Sequence, residues 1–268
     1  MKICALSACL LLLSAPAMAE APQAPAGPGT AVQREQADPT LQVSAPKAIP
    51  FSAKGEGMEG LAILPPPPGI GSVRFLHDEA CYKEGLLERR GPRGERAAKD
   101  ADLRTMAESF SEAFGLEISK GNTPAIYALL SRAARDLGGM STRAAKKHYQ
   151  RVRPFVLYNE PTCLPEEEIF TRKTGSYPSS HSSRGWGMAL ILAEINPQNR
   201  EAIFKRGYEI GQSRVICGFH WQSDVDAGRM AAAATVAVLH GNEGFLKAME
   251  KAKAEFAGKK SRAQDTAR

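Results

Sequence analysis

The chain has 268 residues, 43% hydrophobic and 24% charged, a balance that supplies a real core and excludes a collagen-like, wholly disordered or coiled-coil chain. Its formal net charge is +6, from 35 Lys and Arg against 29 Asp and Glu. The two signs are interspersed without a dense Lys/Arg block, so nucleic acid is not the expected partner, while a modest positive field suits a phosphorylated one.

Residues 1–19 have the layout of a secretory signal peptide: Lys2, an apolar run that includes Leu10 to Leu13, then Ala17-Met18-Ala19 at the cleavage site. The run is shorter than the roughly 20 residues a membrane span needs, and no later stretch reaches that length. The mature protein is therefore expected to be soluble and exported, periplasmic or secreted from a bacterium. Cys4 and Cys9 leave with the signal. Cys81, Cys163 and Cys217 remain, which predicts one bridge and one free thiol in a compartment that permits disulfides. Without a CxxC pair, a structural zinc site is not expected.

Residues 20–69 read as a linker, largely disordered, with Pro22, Pro25, Pro28, Pro39, Pro46 and Pro50 leading to the tetraproline Pro65–Pro68. Its last part is expected to lie on the domain. Residues 70–258 then carry helical patterns. Helices are predicted over 77–88 and over 93–115, the latter with Leu103, Met106, Phe110 and Phe114 three or four apart. Thr123-Pro124 starts another, which carries Ile126, Leu129, Leu130 and Ala133 and stops at Gly138-Gly139. Ser141 or Thr142 caps the next. Residues 155–178 read as loop, and helices resume over 179–195, 198–214, 220–240 and 242–257. The run Ala231–Leu239, apolar all round, suits a buried central helix. With no period-2 strand pattern, the expected fold is all-α: a single helical bundle around a buried central helix, followed by a frayed basic tail, 259–268. Trp186, Trp221 and Met188 read as core.

Three short clusters carry chemistry. In the first, six residues separate Lys146 from Arg153-Pro154. A guanidinium holds an oxyanion with two parallel hydrogen bonds, and an ammonium adds a point charge. In the second, Tyr177-Pro178-Ser179-Ser180-His181 opens a helix. Hydroxyls and free N–H groups at a helix start make an anion site, with a histidine able to move a proton beside it. In the third, five residues separate Ser213-Arg214 from His220, and three separate His220 from Asp224. If 220–224 is helical, Asp224 shares a face with His220, fixes its tautomer and leaves the other nitrogen nucleophilic. Asp226 has the wrong spacing for that face. His220 and Asp224 as metal ligands are a weaker reading: the chain has five His and neither HExxH nor a Glu/His di-iron pattern.

The order K-x6-RP, P-S-x-H, SR-x5-H-x3-D resembles the signature of the type 2 phosphatidic acid phosphatase and vanadium haloperoxidase superfamily. Leu64–Pro68, Gly175–Ser179, Leu192–Pro197 and Gly211–Asp226 resemble most the class A bacterial nonspecific acid phosphatases, over about residues 60–257. The resemblance implies His220 as the nucleophile that becomes a phosphohistidine, Asp224 as its orienting carboxylate, and His181 as the general acid. It implies Lys146, Arg153, Ser179 and Arg214 as phosphate ligands. Position 180, usually Gly in that pattern, offers its N–H to the phosphate. Ser180 keeps the N–H, and changes activity or substrate range if the loop needs a glycine-only angle. Cys163 and Cys217, in loops flanking the second and third clusters, are expected to form the disulfide, with Cys81 free.

Two arginines, a lysine and helix N–H groups can stabilise a phosphoryl group in transfer without a metal, so no cofactor is expected. A protonated His181 beside a neutral His220 predicts an acidic optimum. The implied activity is broad hydrolysis of phosphate monoesters, nucleotides among them, with phosphate transfer to an acceptor alcohol also allowed. The resemblance allows a homo-oligomer. Rival readings are a vanadate-dependent haloperoxidase, against which size and the class A matches argue, and a binding protein with weakened catalysis, which would not need His181, His220 and Asp224 together.

Overall fold

A computed structural model of the chain describes residues 48–53 and 57–266. The expected signal peptide and most of the linker lie outside these residues. Twelve α-helices follow in order among the described residues, with no strand: α1 (Gly60–Ile63), α2 (Val73–Glu88), α3 (Pro92–Lys99), α4 (Ser111–Phe114), α5 (Pro124–Arg135), α6 (Ser141–Tyr149), α7 (Pro154–Leu157), α8 (Pro165–Thr171), α9 (Ser180–Ile195), α10 (Arg200–Ile216), α11 (Gln222–Leu239) and α12 (Glu243–Thr266). The fold is all-α, as expected.

The central helix is α9. It packs along α10 and α11 and also meets α5 and α12. Glycines let α9 and α10 approach closely: a Cβ on Gly207 would sit 2.5 Å from the Cβ of Ala189, and one on Gly185 2.7 Å from Cγ2 of Ile210. Met188, Ala189, Ile191 and Leu192 of α9 join Phe110, Phe114, Ile126, Leu129, Leu130, Ile203 and Phe245 in the main core. The Ala231–Leu239 run does not hold that central place. In α11 Ala233, Ala237 and Val238 face solvent, because its buried stripe turns toward α9.

Several expected elements differ. The stop foreseen at Gly138-Gly139 does not occur: a π-helical turn, Asp136–Met140, carries α5 straight into α6, and Ser141 and Thr142 are helical residues whose hydroxyls donate to the Leu137 and Gly138 carbonyls instead of capping. The helix foreseen over 93–115 breaks after Lys99, because the Asp100 carboxylate is drawn inward to Arg206 and Ser213. That break exposes the carbonyl of Ala101, which the site uses. The loop foreseen over 155–178 contains α7 and α8, each opened by a proline at its first turn. The last helix runs on to Thr266, past the expected fraying point. The end of the Pro-rich stretch lies on the domain: Phe51 is buried edge-on against Phe245, ring centroids 5.3 Å apart, and Asp136 accepts the amides of Phe51 and Ser52. Met188 is core and Trp186 packs against it, as foreseen, whereas buried Trp221 stands in a separate aromatic cluster with Phe75 and Tyr82.

Candidate active site

The three clusters converge because each ends a helix or starts one. α6 stops at Gln150, whose φ of 43° is left-handed, and the chain runs extended through Arg153 into Pro154. Ser179 caps α9, its Oγ accepting the amide of Ser182. α10 ends at Ile216, and Gly218, with φ +88°, turns the chain back. The Cys163–Cys217 disulfide ties this turn to the segment before α8, while Cys81 is free. A backbone bond from the Ser179 amide to the Asp224 carbonyl, 2.9 Å, joins the second cluster to the third.

His220 lies outside α11, two residues before its first turn. The expected i,i+4 helical pairing is therefore replaced by a cap. Asp224 is the third residue of α11, and its Oδ2 reaches back to accept the Trp221 amide at 2.9 Å. The same oxygen is 3.3 Å from Nδ1 of His220. A carboxylate only accepts, so Nδ1 carries the hydrogen and Nε2 keeps the lone pair. Asp226 is instead exposed and paired with Arg229.

Arg153 braces the site from below. Its guanidinium donates to the carbonyls of Phe219, Thr171, Thr174 and Gly175, and Nη1 stands 3.3 Å from Nε2 of His220. The Lys146 ammonium donates to the carbonyls of Gly175 and Ser176, 3.1 Å each. Arg214 differs from both. It is 1% exposed, lies 4.4 Å over the Phe219 ring, and its Nε and Nη1 have no hydrogen-bond partner among the described residues. Two buried cationic donors without acceptors cost stability unless an anion meets them.

His181 follows Ser180 in the first turn of α9. Its Nε2 lies 2.9 Å from the Ala101 carbonyl, which can only accept, so Nδ1 is the atom left for proton exchange. Ser179 is fully buried, its Oγ also accepting from Ser182 Oγ. Ser180 does not have a positive φ: among the described non-glycine residues only Gln150 and Asn159 do. No glycine-only angle is needed there, and the Ser180 hydroxyl turns to Thr142, 2.8 Å away.

Burial lowers the pKa of both histidines well below the ordinary value. Arg153, Lys146 and Arg214 push His220 further down, and Arg214, Arg184 and His220 do the same to His181. Burial likewise holds Lys146 well below its usual range, helped by Arg153. Arg153 and Arg214 are pushed down to about 10, again by burial first. The cradle is thus a desolvated cluster of cations around one neutral imidazole lone pair, which can hold a tetrahedral oxyanion beside a nucleophile.

Lys146, Arg153, Ser179, Ser180, His181, Arg214, His220 and Asp224 all belong to this region. Sequence reasoning missed Arg151 and Asp78. Nη1 of Arg151 donates to Asp224 at 2.6 Å, and its Nη2 donates to fully buried Asp78 at 2.7 Å. The only signal for Arg151 was its place two residues before Arg153; Asp78 had none. Among the described residues no three His, Cys, Asp or Glu side chains group as metal ligands.

Residues 124–244 match the family model described as the PAP2 superfamily. The chain is similar to the non-specific acid phosphatase of Providencia stuartii, 51% identical over 209 residues, which span 77% of this chain and 84% of the relative. It is 41% identical to the non-specific acid phosphatase of Salmonella typhimurium over 80% of this chain and 86% of that one. It is 36% identical to the acid phosphatase of Zymomonas mobilis over 78% and 80%.

Proposed function

The chain belongs to the PAP2 superfamily, among the bacterial non-specific acid phosphatases, and from that membership we propose that it hydrolyses phosphate monoesters of broad structure through a phosphohistidine on His220. The observation that carries this reading is the unmatched pair of buried donors on Arg214, whose charge acts on both His220 and His181.

The substrate phosphate takes its place on Arg214, Arg153, Lys146 and the amides that open α9, with Ser179 beside them. Nε2 of His220 attacks phosphorus, and the bond to the leaving oxygen breaks with its electron pair on that oxygen. His181 gives the leaving alcohol its proton from Nδ1. Water then attacks the phosphohistidine, His181 takes a proton from it, the N–P bond breaks, and His220 is restored. The arginines and Lys146 neutralise charge on the equatorial oxygens, the part a metal plays elsewhere. An acceptor alcohol in place of water gives phosphotransfer. The predicted signal peptide and the disulfide support a periplasmic or secreted enzyme, and nucleotides fit the substrate class.

The test is hydrolysis of p-nitrophenyl phosphate at pH 5 to 7, with and without EDTA, beside His220→Ala. EDTA-resistant activity lost in the variant supports the reading, with a phosphoenzyme trapped on His220 as its direct sign. Full activity in His220→Ala, or activity abolished by EDTA, would overturn it.

A further inference from the structure

Beside the proposed phosphate site, a cleft of about 340 Å³ opens between α6, the 173–175 segment and the start of α9. Its charged lining is Arg143, Lys146, Lys147, Lys173 and Arg184, with no carboxylate. Among the described residues none of these five forms an ion pair, although basic side chains elsewhere do, as in Lys253–Glu194, Arg229–Asp226 and Arg206–Asp100. Asp136, in the π-helical turn that adjoins the cleft, is committed to the amides of Phe51 and Ser52.

The backbone is shaped around these cations. A Cβ on Gly138 would sit 2.0 Å from Cζ of Arg184, so the guanidinium occupies the space a side chain there would take, and Arg143 Nη2 is the one atom near a Cβ on Gly139. Arg184 is anchored through Nε to the Ala134 carbonyl. Such a concentration of unpaired charge attracts and retains an anion. Lys146, Gly175 and Ser180 line the cleft and also border the phosphate site, so the two are continuous. Arg143 and Lys147 share one face of α6, four residues apart, and carry the charge about one 5.4 Å turn along it.

We propose that this cleft holds a second phosphate group of the substrate, so that the enzyme favours esters bearing two phosphates on one short carbon skeleton, such as a sugar or polyol bisphosphate. One phosphate lies at His220; the other rests on Arg143, Lys147, Lys173 and Arg184. A phosphoanhydride would place both phosphates at the Lys146 end and leave the outer cations empty. The proposal rests on the phosphatase reading above.

The experiment compares fructose 1,6-bisphosphate, fructose 6-phosphate, pyrophosphate and p-nitrophenyl phosphate on the wild type and on the Lys147→Ala/Lys173→Ala double variant, whose altered side chains are exposed. The expected result is a KM for the bisphosphate about tenfold higher in the variant, the combined loss of two solvent-exposed charge contacts, with the two monoesters unchanged. Equal loss on all four substrates, no loss on any, or a loss confined to pyrophosphate overturns the proposal. Calorimetry with fructose 1,6-bisphosphate and fructose 6-phosphate on both proteins needs no turnover. If the wild type hydrolyses nothing, the phosphatase reading falls, and tighter bisphosphate binding that the variant loses still supports the subsite, while equal binding of the two ligands removes it.

Discussion

Arg151 donates to Oδ1 of Asp224 at 2.6 Å, which leaves Oδ2 free to face His220 and the Trp221 amide. The orienting carboxylate is thus itself oriented. Arg151 is held in turn by Asp78, whose other oxygen accepts the Ser223 amide at the start of α11. Arg151 touches none of the proposed phosphate ligands, so it is a positioning residue. A lysine there keeps a charge but cannot bridge both carboxylates. Arg151→Lys is expected to lower kcat roughly 10²-fold, as a misplacement near 1 Å does, with KM for p-nitrophenyl phosphate little changed. Arg151→Met should fare worse, since two buried carboxylates then lack their partner. Equal kcat in wild type and Arg151→Lys would reduce the contact to packing.

Arg214 predicts the opposite balance between stability and activity. Its guanidinium is buried with two donors unmet, so the folded enzyme carries a cost that only a bound anion relieves. Arg214→Met should leave the denaturation midpoint unchanged or raised. It should lower kcat/KM by roughly 10²–10³, the loss seen when one transition-state donor is removed. A destabilised but active variant would assign Arg214 to structure.

Much of this was legible in the sequence, because local chemistry fixed it. Helix starts at Pro124 and Ser179 and the residues of the three clusters are short-range patterns. The Cys163–Cys217 pairing was expected from the place of both cysteines in loops flanking the second and third clusters. What the sequence hid depends on long-range contacts. The break after Lys99 comes from Arg206, far along the chain, and it frees the carbonyl that fixes His181. The choice of α9 over α11 as the central helix rests on glycines that matter only once two helices cross. Asp78 and Arg151 are ordinary helix and loop residues until the fold brings them to Asp224. His220 and Asp224 were paired for the wrong reason: the i,i+4 spacing was read as one helix face, and a cap delivers the contact.

The two histidines set a pH dependence. Each has a folded pKa below the roughly 6.5 of the unfolded chain. Between those values the unfolded chain binds protons that the folded one does not, so acidification favours unfolding. Stability is full above about 6.5 and drains as the pH falls toward the folded values. The thermal midpoint of the free enzyme should drop from pH 7 to pH 5. Millimolar phosphate, by cancelling the neighbouring cations, should recover more of it at pH 5 than at pH 7. In the proposed turnover, His220 stays neutral and nucleophilic in acid, while the bound phosphate, by cancelling Arg214 and Arg184, lets His181 hold the proton it gives to the leaving group, and the rate falls on the alkaline side as that proton is lost. A rate maximum above about pH 8 would contradict these roles.

Ser180 allows a sharper test than its departure from the family pattern suggested. Its backbone is not left-handed, and its hydroxyl bonds to Thr142 instead of pointing at the imidazoles. Ser180→Gly keeps the N–H that opens α9. Turnover of p-nitrophenyl phosphate should therefore change little, while stability falls by roughly 1 kcal/mol through the lost hydrogen bond and the freer backbone. A large gain in kcat would show that the side chain crowds the leaving group.

The Cys163–Cys217 disulfide spans 54 residues of sequence and closes a loop that contains α8, α9 and α10. In the chain-entropy account, such a loop stabilises the fold by about 4 kcal/mol. For a domain of this size that corresponds to a loss of roughly 8–16 °C in thermal midpoint on removing the bridge. The turn carrying His220 has other supports. Arg153 holds the Phe219 carbonyl, Arg89 holds those of Ile216 and Pro161, and the Cys163 amide bonds to the Cys217 carbonyl. Cys163→Ser/Cys217→Ser should therefore melt early yet retain most of its kcat at 25 °C. A kcat that collapses well below the new midpoint would mean that the bridge, rather than Arg153 and Arg89, keeps the nucleophile in place.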